Sequence, residues 1–246
     1  FVTAVGYSPG IALFDPQGET ARLLDGLRIK YQTIDEGAEL SGYEILIIGK
    51  KALTVESQGL DVGRVRNGLK IIMFEQTSEV LEKRFGFRVQ EYGLRKVYKR
   101  ISDHPTLSGL GMENLSDWQG SATLLSPQLK YEMNRSIFNG SPTVRWCDIP
   151  VAKIWRCGNR GNIASVLIEK PASGNFLPIV DGGYSLQYSP LIEYREGQGM
   201  VMFCQMDVTG RTESDPASER LARNILSYVS GWKPAKNRQA VYAGDA

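Results

Sequence analysis

The sequence is poor in the residues that most often carry chemistry. It has a single histidine, His104, and three cysteines, Cys147, Cys157 and Cys204, in 246 residues. One imidazole excludes a His-rich metal cluster, and three widely spaced thiols match neither a disulfide framework nor the paired Cys-x-x-Cys of a zinc site. Neither a metal nor a cofactor is expected. Charge of one sign is also missing: 29 Lys and Arg stand against 27 Asp and Glu, so no strong field draws in nucleic acid or an anionic membrane. Long apolar runs are absent too, since Ile45-Leu46-Ile47-Ile48 falls far below the ~20 residues a membrane helix needs. The glycine clusters, Gly158 to Gly161, Gly182-Gly183 and Gly197 to Gly199, contain neither a G-x-G-x-x-G after the first strand nor the Gly-Lys-Ser/Thr of a phosphate loop. No nucleotide site is signalled.

What remains is an ordinary globular composition, 42% hydrophobic and 23% charged, with enough chain for one core. A single domain over residues 1–246 is expected. Phe1 is not an initiator and Ala246 follows a polar stretch, so the expectation is a soluble domain excised from a longer protein. Its compartment stays open.

The first part of the chain alternates strand and helix signals at the pitch of a parallel sheet with crossover helices. Strands are predicted over Gly10 to Phe14, Tyr31 to Ile34, Tyr43 to Ile48 and from Lys70, the third buried on both faces because its apolar run is continuous. Helices are predicted over Glu19 to Leu27 and Thr77 to Phe85, with a weak one over Asp61 to Leu69 interrupted by Gly63 and Gly68. Between Arg88 and Pro150 the alternation fails and prolines recur, which predicts an irregular insertion. Strands return at Ile163 to Glu169 and Gly199 to Met206, expected to be sheet neighbours. Asp215-Pro216 opens a last helix whose stripe is Leu221, Ala222, Ile225, Leu226 and Val229. The fold class is therefore α/β, an open and mostly parallel sheet with helices on both faces.

The order Ile11 to Phe14, helix, Tyr43 to Ile48, the Phe74 elbow and Met200 to Met206 resembles the class I glutamine amidotransferase-like fold, which is flavodoxin-like. The stretch Asp103-His104-Pro105-Thr106-Leu107-Ser108-Gly109-Leu110, with Trp118 after it, is similar to amidotransferase-like domains of bacterial glycoside hydrolases. These include the trimerisation-type domain of β-galactosidases and the trehalose-utilisation-like group. Trp155 to Asn162 through Asp207 to Arg211 resembles a segment of large, glycoside-hydrolase-like bacterial proteins. The resemblance implies a cysteine at the elbow after the fourth strand and a His-x-Glu after a late one. Here the elbow reads Glu75-Gln76-Thr77 and the late stretch reads Phe203-Cys204-Gln205-Met206-Asp207. With no imidazole to take a proton, glutamine hydrolysis by that mechanism is not expected, and no catalytic residue is assigned.

Six residues are candidates for binding. Glu75, Gln76 and Asp207 stand at strand ends, where open α/β sheets take ligands. Cys157 lies between Arg156 and Arg160, which favour thiolate, although its commoner role is structural. Tyr184 and Tyr188, in a turn-rich segment, suit sugar stacking or an interface. His104, before Pro105, reads as a turn residue bonding backbone. Three functions stay open. One is a noncatalytic accessory domain of a carbohydrate-active protein, in contact with other domains of its polypeptide or with further copies in a homo-oligomer. The others are a hydrolase of carbohydrate or amide working at the sheet edge, and a carbohydrate-binding module. If the parent is a glycosidase, a periplasmic or secreted location follows as an expectation.

Overall fold

The computed structural model describes residues 10–57, 60–124, 131–132, 143–146, 149–152 and 160–234. Strand β1 is Ile11–Phe14, β2 is Gln32–Thr33, β3 is Ile45–Ile48 and β4 is Lys70–Met73. With the strands Gly199–Cys204, Leu191–Glu196 and Phe176–Pro178 they form one seven-stranded sheet. From one edge the order is β2, β1, β3, β4 and then Gly199–Cys204, all parallel, which is the flavodoxin-like order 2-1-3-4-5. Leu191–Glu196 and Phe176–Pro178 extend the far side antiparallel.

Side-chain alternation decides the layers. Leu13, Ile45, Ile47, Ile72, Met200 and Met202 face one side, where they meet Leu23, Leu24 and Leu27 of helix α1 (Glu19–Gly26) and the stripe of helix α3 (Pro216–Gly231). Ala12, Phe14, Leu46, Ile48, Ile71, Met73, Val201 and Phe203 face the other, against Val80 and Leu81 of helix α2 (Ser78–Phe85). Both faces are buried, which is why β3 and β4 read as unbroken apolar runs.

The helix ends follow their caps. Asp215 accepts from the Ala217 and Ser218 amides at 2.8 and 3.3 Å, and Pro216 occupies the first turn of α3. Thr77 Oγ1 accepts from the Val80 amide, and Gly86, at φ 70°, closes α2. The weak helix expected over 61–69 is a 3₁₀ segment, Val62–Asn67, ended by Gly68 at φ 108°. In the insertion, the described residues form short strands and 3₁₀ turns with no α-helix.

One expected pairing is corrected. Ala164–Glu169 is not a neighbour of Gly199–Cys204. It pairs with Val89–Leu94 and Tyr188–Ser189 in a separate three-stranded sheet, and an isolated bridge joins Ala164 to Met206. The two-residue reversal at Gly197-Gln198 lets Leu191–Glu196 claim that side of Gly199–Cys204 as a hairpin partner. β4 claims the other side, and a strand has only two edges.

Candidate functional site

The carboxyl ends of β3, β4 and Gly199–Cys204 converge on a buried polar cluster. β4 ends at Met73 and Phe74 follows it, so Glu75 and Gln76 fall at the elbow before α2, and both are fully buried. The Gln76 side chain is consumed by backbone: Nε2 donates to the Gly49 and Phe74 carbonyls, each at 2.7 Å, and Oε1 accepts from the Leu53 amide at 3.2 Å. Its main chain makes a reciprocal pair with Gln205. The Gln76 amide donates to Gln205 Oε1 and Gln205 Nε2 donates to the Gln76 carbonyl, both at 2.8 Å. The Gln76 side chain and main chain are thus both bonded within the fold.

Glu75 points the other way. Its carboxylate accepts from the Thr209 amide at 2.8 Å and the Thr209 hydroxyl at 2.9 Å. Burial pushes its carboxyl up to about 7; the Lys50 ammonium opposes the rise, and Asp207 adds to it. Lys50, two residues past β3, is 1% exposed, its ammonium 3.5 Å from Glu19 and 3.8 Å from Asp207. The preceding Gly49 cannot carry a side chain, because a Cβ there would lie 2.5 Å from Asp15 Oδ1.

Asp207 binds the insertion to this edge. It accepts from the Thr123 amide at 3.1 Å and hydroxyl at 2.8 Å, and from Arg211 Nη1 at 2.9 Å. Arg211, itself buried, also donates to the carbonyls of Trp118, Gln119 and Asn162. The segment 118–124 is thereby drawn over the strand ends. Cys204 is buried beside these carboxylates; burial first, then Glu75 and Asp207, push its thiol well above its ordinary value. A thiol so disfavoured as thiolate is a poor nucleophile.

Of the six candidates, Glu75, Gln76 and Asp207 come together. Tyr184 and Tyr188 do not join them: Tyr184 is 80% exposed in the 3₁₀ turn Tyr184–Leu186, and Tyr188 pairs with Glu169 in the smaller sheet. Cys157 lies outside the described residues, as does Trp155. His104 behaves as a turn residue, its Nδ1 accepting from the Thr106 amide at 3.3 Å. Lys50, Thr123, Gln205, Thr209 and Arg211 belong to the cluster without having stood out in the sequence. Gln205 and Arg211 sit two and four positions from Asp207, so the signal in reach was a polar run beyond a buried strand.

No family model matches this sequence, and no curated protein matches it significantly. Among solved structures, a GMP synthase subunit from Thermoplasma acidophilum is similar over 92% of this chain and 96% of its own, with 13% identity and a TM-score of 0.49. A glutamine amidotransferase from Thermotoga maritima covers 92% and 100%, at 9% identity and a TM-score of 0.46. The α-L-fucosidase isoenzyme 2 of Paenibacillus thiaminolyticus matches 94% of this chain with 34% of its length, at 13% identity and a TM-score of 0.44.

Proposed function

We propose that this chain is a noncatalytic accessory domain of amidotransferase-like fold in a carbohydrate-active, glycoside-hydrolase-type protein, where it makes interdomain or oligomer contacts. The observation that carries the reading is the filled elbow. Where the resembled enzymes hold an exposed nucleophile, Gln76 is buried with its side-chain amide bonded to Gly49, Phe74 and Leu53. Glu75 is turned onto Thr209, and Asp207 is occupied by Thr123 and Arg211. Side chains held by the fold's own hydrogen bonds serve its structure first and are not free to turn toward a substrate. The carbohydrate context is supported by the resemblance of Asp103 to Leu110.

The test uses the full chain in two assays. Light scattering over about a hundredfold concentration range reads assembly. Hydrolysis of glutamine and of nitrophenyl glycosides reads chemistry. Self-association, with no turnover above that of Glu75→Gln, is the expected result. Turnover that Glu75→Gln abolishes, from a chain that stays monomeric, overturns the proposal.

A further inference from the structure

A cavity of about 400 Å³ lies away from the elbow, between the turn that His104 opens and the last turns of α3. Lys70, the first residue of β4, donates to the Ser230 carbonyl at 3.0 Å, so α3 ends near the amino edge of the parallel strands. This site is therefore remote from the carboxyl edge where Glu75 and Asp207 sit. Its volume falls within the range of small-molecule sites. Among the described residues its lining holds no charged side chain: Tyr228 and Trp232 supply rings, Pro105 and Gly231 apolar surface, and Ser108, Ser227 and Asn224 polar groups.

The rings are held from beneath. Glu193, fully buried, accepts from Tyr228 Oη at 2.6 Å and Trp232 Nε1 at 3.2 Å, and is paired with Arg195. His104 packs edge-on against Tyr228 with centroids 4.7 Å apart. Its Nδ1 accepts from Thr106, which assigns the proton to Nε2, 3.5 Å from Glu193. Asn224 Nδ2 donates to the Thr106 and Ser108 carbonyls at 3.1 and 2.8 Å, leaving Oδ1 as an acceptor. A buried carboxylate is costly, and here it immobilises two aromatic rings beside an open space.

We propose that this cavity binds a neutral saccharide unit. Rings meet the C–H faces of a pyranose, while the serine hydroxyls and the Asn224 oxygen exchange hydrogen bonds with its hydroxyls. The uncharged lining disfavours a phosphate or a carboxylated sugar, whose charge would lack a partner. This goes beyond the accessory role, because it stands on the cavity and not on the elbow.

The experiment is saturation-transfer NMR on the full chain with methyl hexopyranosides of gluco, galacto and manno configuration and with α- and β-linked disaccharides, at millimolar concentration. Transfer to the ring protons of at least one glycoside is expected. Tyr228→Ala should weaken it about tenfold. Because that variant disturbs Glu193, Ser227→Trp is the second: it fills the cavity from an exposed position and should abolish transfer while leaving the melting temperature unchanged. No transfer from any glycoside to folded protein overturns the proposal, and so does unchanged binding by Ser227→Trp. If Ser227→Trp instead alters the assembly mass with no glycoside bound, the groove is a protein contact, and the saccharide assignment fails while the accessory role stands.

Discussion

Glu75 at the elbow and Glu193 under the last turn of α3 are both fully buried glutamates, and their acidities are driven in opposite directions. Burial raises Glu75 to about 7, with Lys50 opposing and Asp207 reinforcing. At Glu193 burial acts in the same sense, but donors from His104, Arg195 and Tyr228 overcome it and bring the carboxyl down to about 2. The difference lies in the company. Glu193 is bonded directly to a guanidinium, whereas Glu75 takes its hydrogen bonds from neutral Thr209 groups and meets its cation only through space. Desolvation sets the direction until charged donors make contact.

The contrast is broken hardest at Glu193. Glu193→Ala strands the Trp232 indole and the Tyr228 hydroxyl and removes the partner of the part-exposed Arg195 guanidinium, and should cost about 2–4 kcal/mol in urea unfolding. The pH profile tests both sites together. Glu75, raised in the folded state, contributes stability that is complete below pH 4.5 and is lost as pH climbs through about 7, at most about 3 kcal/mol. Glu193, depressed in the folded state, contributes stability that is present above pH 4.5 and is lost as pH falls through about 2. Unfolding free energies across the two windows should slope in opposite senses, and Glu75→Gln should flatten only the neutral one. Lys50→Met removes the charge opposing the Glu75 rise, so the midpoint of that neutral slope should move up by about one pH unit. The smallest effect is a cap: Thr77→Ala, at the start of α2 and outside both carboxylate networks, should cost about 1 kcal/mol without altering either slope.

Much of the fold was legible because its signals are local. The apolar runs of β3 and β4 state that both faces are covered, and Asp215-Pro216 with its stripe states where α3 starts and which side packs. Glu75, Gln76 and Asp207 were legible as strand-end residues. Their partners were not, since a lysine after a strand reads as surface and Lys50 meets Asp207 only once most of the chain has folded back on itself. The pairing of Ala164–Glu169 was illegible for the same reason. A β-branched run declares that it is a strand, and competition among edges decides beside which strand it lies.

The Gln76 and Gln205 amides have a consequence for the order in which the chain takes shape. They join positions 129 residues apart, and the strand just before Gln205 covers the open edge of β4. On a ribosome adding roughly 5–20 residues per second, β4 emerges many seconds before that strand exists. For that interval the growing chain presents Ile71 and Met73 on an unpaired central edge. Strand pairing with another nascent copy is then the competing reaction, and chaperone demand during synthesis should depend on how quickly residues 86–198 are traversed.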